Sequence, residues 1–297
     1  MRSIPERAWI CRDRTVTLGA RTALMGIINV TPDSFYDGGS HLEPRRAVQH
    51  ACELIDAGAD IIDVGGESSR PGAAPVSVSE EMQRVLPVIT ALREETHAVL
   101  SIDTTKADVA RAALDAGAHI INDISALRAD PAMAALAAEY GAGIVLMHMQ
   151  GTPSTMQDAP TYEDVVREVD AFLCDRARFA EAAGIAKERI VLDPGIGFGK
   201  SYDHNWALLA GLPVLAGSGY PLLAGISRKR FLGALCGRET EERLPASLAA
   251  MTYAILRGAS IIRVHDVKES CDAARVADRM KAEERKHGNL DATASSS

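Results

Sequence analysis

No apolar run in the 297 residues is long enough to cross a bilayer. The opening residues, MRSIPER, also lack the apolar stretch of a signal peptide. Basic residues are in deficit: Lys and Arg number 32 against 40 Asp and Glu, a net charge of −8. That balance argues against a general binder of nucleic acid or anionic membrane. Any anionic ligand must instead be held by local cations. The five cysteines, Cys11, Cys52, Cys174, Cys236 and Cys271, contain no Cys-x-x-Cys pair and are scattered. They read as reduced packing thiols. No His/Cys group has the spacing of a structural zinc site. These absences leave a soluble cytoplasmic protein as the expectation. What is present suffices for a full core, since hydrophobic residues make up 47% and charged residues 24%. The length fits either two domains of about 150 residues or one α/β barrel of about 250.

Short apolar runs at residues 23–30, 60–65, 99–103, 119–124, 143–149, 190–193, 222–226 and 260–264 read as strands. Between most of them lie stretches with helical apolar spacing, such as 45–57 and 108–116. Strands alternating with helices imply parallel βαβ units. A weak repeat agrees: Gly58-Ala59-Asp60-Ile61-Ile62 recurs as Gly117-Ala118-His119-Ile120-Ile121 and as Gly258-Ala259-Ser260-Ile261-Ile262, and loosely from Gly141. Each glycine sits where a helix C-terminus needs one. Polar residues follow the strands, including Asn29, Glu67, Asp103, Asn122, His148, Asp193, Ser227 and His265. In a (β/α)₈ barrel they would meet at the C-terminal mouth. The expectation is a single TIM barrel over residues 1–287. Its bottom is covered by an N-terminal β-hairpin near 9–18, and residues 288–297 form a disordered tail.

The segment DPGIGFGKS at 193–201 invites comparison with a phosphate-binding P-loop, but Pro194 stands at the first glycine position. Proline removes a backbone N–H that such a loop needs. A glycine-rich floor beside a flat ligand fits better. Two polar, glycine-bearing loops follow the first two strands, at 29–39 and 65–72. A cation among hydroxyls and glycines, as at Ser69-Arg70, suits an anion or carboxylate. Ser227-Arg228-Lys229-Arg230 places three cations directly after the seventh strand. Arg263 and His265 share one side of the eighth. The loops after these two strands commonly hold phosphate in this fold. Asp103, Asn122 and Asp193 are acceptor-rich and can face the N–H edge of one heterocycle. A hard cation such as Mg²⁺, held by Asn29 and a substrate phosphate, is compatible with oxygen ligation.

Taken together, NVTPDSFYDGG from Asn29, DVGGESSRPGA from Asp63, SIDTTK from Ser101, NDIS from Asn122, MHMQGTP from Met147, DPGIGFGK from Asp193, SRKRF from Ser227 and RVHDV from Arg263 resemble the dihydropteroate synthase family. The resemblance runs from about Ile10 to Met280, with the motifs in the family's order. It implies joining (7,8-dihydropterin-6-yl)methyl diphosphate to 4-aminobenzoate, with release of diphosphate. It implies Asn29 as the Mg²⁺ ligand. Asp103, Asn122, Asp193 and Lys229 would contact the pterin, with Met147 and Phe198 lining its slot and Gly225 and Ser227 beside it. Arg263 would pack on the pterin face and, with His265, hold the diphosphate. Ser69 and Arg70 would lie near the diphosphate and the aminobenzoate, Phe35 and Pro71 would help wall the aminobenzoate pocket, and Asp37 would lie over the reacting carbon. Ser69 stands where many members have Thr, and Arg230 where some have Ser. The family also implies a homodimer. A pterin-binding methyltransferase would keep the Asp103–Asn122–Asp193 set without needing the two loops or the Arg263/His265 pair. A non-catalytic pterin-binding barrel is the other alternative.

Overall fold

Alternation of buried and exposed side chains produces the N-terminal hairpin. β1, Arg7–Cys11, pairs antiparallel with β2, Arg14–Leu18, placing Trp9 opposite Val16. The apolar runs then become parallel strands: β3 Ala23–Asn29, β4 Ile61–Gly65, β5 Val99–Asp103, β6 Ile120–Asp123, β7 Gly143–Met147, β8 Ile190–Asp193, β9 Leu223–Gly225 and β10 Ile261–Val264. Their order is β8-β7-β6-β5-β4-β3-β10-β9. A parallel bridge from Leu192 to Leu222 brings the two edges together. This computed structural model describes residues 7–30, 42–69, 72 and 74–294; Phe35, Asp37, Arg70 and Pro71 lie outside the described residues.

Helices surround the ring: α1 Leu42–Asp56, α2 Val78–Glu95, α3 Ala107–Asp115, α4 Met133–Tyr140, α5 Val165–Ala182, α6 Tyr202–Ala216, α7 Arg230–Cys236, α8 Leu244–Leu256 and α9 Val267–Ala294. The Gly-Ala repeat is the turn that feeds strands from helices. Gly58, Gly117 and Gly258 have φ of 109°, 113° and 114°, a region that side chains with a Cβ rarely enter. Their N–H groups reach back to the carbonyls of Ile55, Leu114 and Ile255. The following alanines reach one residue deeper, to Leu54, Ala113 and Ala254. This closes the helix ends in the Schellman manner. The looser copy at Gly141 makes the same pair of bonds at a φ of 58°.

Two expectations about the chain ends fare differently. The hairpin does cover the barrel bottom: Trp9, Cys11, Val16 and Leu18 share one buried cluster with Met25, Ile61, Val99, Ile120, Val145, Val191, Leu223 and Ile261. The Trp9 indole Nε1 donates to the Arg189 carbonyl at 2.9 Å. Burial also pushes the Cys11 thiol far up, as a packing group requires. Of the residues expected to form a tail from 288, those up to Ala294 continue α9, and residues 295–297 lie outside the described residues. Extending an existing helix avoids the nucleation cost, so a single glycine at 288 does not stop it. Removing the plug's largest side chain should be expensive. Trp9→Ala is expected to lower stability by about 3–5 kcal/mol, read from urea unfolding. A change under about 1 kcal/mol would show that the hairpin is an ornament rather than part of the core.

Candidate functional site

Period-two alternation turns the same faces of the strands inward, and the polar ones gather toward the C-terminal mouth. Register places Asn29 beside Gly65, Gly65 beside Asp103, and Asp103 beside Asn122. Met147 lies beside Asp193, and Arg263 beside Gly225. Residues far apart in sequence thus line one opening.

At its base is a charged hub. Arg263 donates from Nε to Asp63 Oδ2 at 2.6 Å and from Nη2 to Asp103 Oδ2 at 2.8 Å. Asn122 Nδ2 donates to the same Asp63 oxygen at 3.0 Å. Asp63 is fully buried, and its Oδ1 has no partner among the described residues. Burial pushes the Asp103 carboxyl up to about 7; the Arg263 charge pulls it back, while Asp63 pushes it further. Burial works against the Arg263 charge, but the two carboxylates outweigh it and hold the guanidinium protonated.

The glycine-rich segment after β8 is a floor. Asp193 is buried, which raises its carboxyl, and its Oδ1 accepts the Gly195 N–H at 2.7 Å. A Cβ on Gly195 would lie 1.9 Å from the His148 carbonyl oxygen, so only glycine lets the two segments touch. Lys200 occupies the position of a P-loop lysine, but its ammonium is held by protein groups. It is 2% exposed, and its Nζ donates to His148 Nδ1 at 2.9 Å and to the Phe198 carbonyl at 2.9 Å. Lys200 is a strut beneath the floor. Burial lowers it to about 7.

The three cations after β9 take three different roles. Arg228, at a φ of 57°, turns toward Asp266 (Nε to Oδ2, 3.0 Å) while its N–H donates to the Ser247 hydroxyl at 2.9 Å. Arg230 is exposed at the start of α7. Only Lys229 joins the site, with Nζ 4.0 Å from the centre of the Phe198 ring. Burial lowers Lys229 to about 8, and Asp193 opposes that shift. His265 Nδ1 lies 3.0 Å from the Ser227 hydroxyl. Burial, helped by Arg263, drives His265 down to about 4, so at neutral pH it offers a hydrogen bond rather than a charge.

Asn29 ends β3 half-buried, and Ser69 is half-buried in the loop after β4. No trio of His, Cys, Asp or Glu side chains is poised for a metal among the described residues. A single amide oxygen suits Mg²⁺ that arrives with a diphosphate and keeps most of its own water, so the donor set fits that ion. A cleft of about 570 Å³ opens at the opposite end of the barrel, lined by Arg12, Arg93, His119, Tyr140 and Arg189 among others. Its arginines are already employed there. Arg12 donates to the carbonyls of Leu114 and Ala118, at 2.6 and 2.7 Å, and Arg189 donates to that of Gly141. The sequence reading missed Asp63 as a functional residue. The available signal was a charged side chain inside an otherwise apolar strand, at the inward parity of Gly65.

Comparison with known proteins points to the same chemistry. Residues 25–265 match the pterin binding enzyme family. The chain is 53% identical to dihydropteroate synthase of Escherichia coli K12 over 253 residues, covering 85% of this chain and 89% of that protein. It is similar to the Xanthomonas albilineans dihydropteroate synthase structure with 4-aminobenzoic acid, with a TM-score of 0.87 and 49% identity over 94% of this chain and 99% of the other. A structure of the same enzyme in complex with 7,8-dihydropteroate gives a TM-score of 0.84 and 47% identity, over 94% and 99%.

Proposed function

The chain belongs to the dihydropteroate synthase family, and we propose that its barrel mouth condenses (7,8-dihydropterin-6-yl)methyl diphosphate with 4-aminobenzoate, releasing diphosphate. The observation that carries this reading is the convergence of Asp103, Asn122, Asp193 and Lys229 over a glycine floor at the ends of β5, β6, β8 and β9. Acceptors and a cation around one slot match a fused heterocycle whose edge carries both N–H donors and ring acceptors. Purified protein given both substrates should form dihydropteroate and diphosphate in equal amounts. Pterin binding without diphosphate release would leave only a binding barrel.

In this mechanism Asp193 and Asn122 bind the pterin edge, Asp103 supplies a further acceptor, and Lys229 donates to a ring acceptor. Met147 and Phe198 wall the slot, beside Gly225. Arg263, fixed by Asp63 and Asp103, lies against the ring face and faces the diphosphate with His265 and Ser227. Once that charge is neutralised, the C–O bond can break early, because the electron-rich dihydropterin supports positive charge on the exocyclic carbon. The arylamine is neutral at pH 7 and attacks without a strong base, so orientation is the main task. Ser69, with Arg70, Phe35 and Pro71, would hold the aminobenzoate, and Asp37 would face the cationic carbon.

Two protonation states bound the working range. Below about 7 Asp103 gains a proton and loses the negative charge that attracts the N–H donors, and above about 8 Lys229 loses one and stops donating as a cation. Pterin affinity should therefore peak between these values. Fluorescence titration from about pH 6 to about pH 9 checks this, and Asp103→Asn should flatten the acid side. A flat profile for the wild type would remove both groups from pterin recognition.

Asn29 would hold Mg²⁺ together with the diphosphate, and the ion would supply charge neutralisation for the leaving group. Asn29→Ala is expected to raise the Mg²⁺ concentration needed for half-maximal rate. Full wild-type activity in excess EDTA would refute the metal role. We also assign a homodimer. Val214, Leu235 and Tyr253 expose apolar side chains on α6, α7 and α8, and Leu235 is 70% exposed. All five cysteines are unpaired, and among the described residues no helix is long and apolar enough to cross a membrane. Both facts are compatible with the cytoplasm, where we place the protein.

A further inference from the structure

The loop that follows β4 leaves the barrel at Gly65 and returns to α2 at Ser77, whose hydroxyl caps that helix. Its two ends are held together by one side chain. Glu67 Oε1 accepts the Val76 N–H at 2.9 Å, and its Oε2 accepts from Lys106 Nζ at 2.6 Å. Lys106 follows β5 and also donates to Glu81, which is 0% exposed in the first turn of α2. The backbone beside this neck is clamped on the same helix. Arg84 Nη1 donates to the Gly66 carbonyl at 2.7 Å, and a Cβ on Gly66 would meet Val85 at 2.8 Å. Among the described residues, none of these side chains hydrogen-bonds to Asp63, Asp103, Asn122 or Arg263. Yet Lys106 stands three positions beyond Asp103, and Ser69 lies two beyond Glu67.

A surface ion pair would be worth little, because water competes for both charges. This one differs. Glu81 is removed from water, and Lys106 is the cation that compensates it. The ammonium is therefore fixed by a buried partner, and it offers Glu67 a fixed anchor. Glu67 in turn ties the residues that leave β4 to Val76, just before α2.

We propose that Glu67 and Lys106 form a latch that positions the loop bearing Ser69, and so sets affinity for the second, carboxylate-bearing substrate without contributing to pterin binding. Both are positioning residues, and the assignment rests on the reading of function given above. A loop that samples many conformations holds its binding-competent form for only part of the time, and apparent affinity falls by that fraction.

Glu67→Ala is the informative variant, because it leaves the Lys106–Glu81 pair intact and so spares the fold. It is expected to raise the KM for 4-aminobenzoate by about tenfold or more, while the dissociation constant of the pterin diphosphate stays within about a factor of two. Amide hydrogen exchange across residues 67–77, measured on the substrate-free protein, should accelerate in the variant. Lys106→Met should do the same and also lower stability, since it strands Glu81. Unchanged exchange in Glu67→Ala overturns the latch whatever the enzyme turns over. An equal loss of pterin affinity also overturns it, because the residue would then shape the whole mouth. Wild-type protein that makes no dihydropteroate, yet shows faster exchange in the variant, would instead refute the functional reading and keep the latch as a loop-positioning device.

Discussion

Arg263→Ala is expected to abolish measurable turnover and to lower stability by about 3–5 kcal/mol. The guanidinium is the only cation hydrogen-bonded to Asp63 among the described residues, and Asp63 is wholly buried. Its removal leaves two carboxylates facing each other in the barrel, with Asn122 the remaining donor to Asp63. The deficit should shrink in acid. Asp103 already sits near 7 with Arg263 pulling it down, and without that charge its carboxyl rises further above its unfolded value. A raised carboxyl binds more protons folded than unfolded, so the variant regains stability relative to wild type as the pH falls. Urea unfolding at two pH values measures this. A loss below about 1 kcal/mol, or one that grows in acid, would mean that Arg263 does not hold the hub together.

Asp193→Asn and Lys229→Ala are each expected to weaken pterin binding by about 2–4 kcal/mol, roughly thirtyfold or more. Asp193 has a double role. One oxygen ties down Gly195 and shapes the floor, which leaves the other to meet the ligand. Lys229 projects over Phe198 at the same slot, in space that the missing Cβ of Gly197 leaves open. Replacing either leaves the opposing polar group of a bound pterin without its partner in a poorly hydrated slot. Calorimetric titration with the pterin substrate reads the effect directly. Affinities within a factor of about three of wild type in both variants would move pterin recognition to other residues.

How much of this is legible in sequence depends on where a residue stands relative to an apolar run. Asp103, Asn122 and Asp193 are visible because each is polar at the end of a buried strand, and barrel topology then brings such ends together. Asp63 is not visible by that rule, since it lies inside the run Ile61–Gly65, where its charge is the one sequence signal and its burial beside Arg263 gives the role. Adjacent cations are equally opaque. In Ser227-Arg228-Lys229-Arg230 the left-handed backbone at Arg228 decides that Lys229 faces inward, and nothing in residue type foretells that φ. Lys200 shows the reverse case, where a familiar spacing suggests phosphate and packing makes the lysine a strut. The hairpin is readable because its alternation is strict. The extent of α9 is not, because continuation past Gly288 reflects helix propagation rather than local propensity.

The most direct measurement is a crystal structure of the protein with a dihydropterin diphosphate bound. The pteridine ring should lie on the floor formed by Asp193 to Phe198, with its N–H edge toward Asp103, Asn122 and Asp193, Lys229 on a ring acceptor, and the diphosphate between His265 and Asn29. A pteridine bound instead in the cleft among Arg12, Arg93 and Arg189, with the mouth empty, would contradict the assignment of the site.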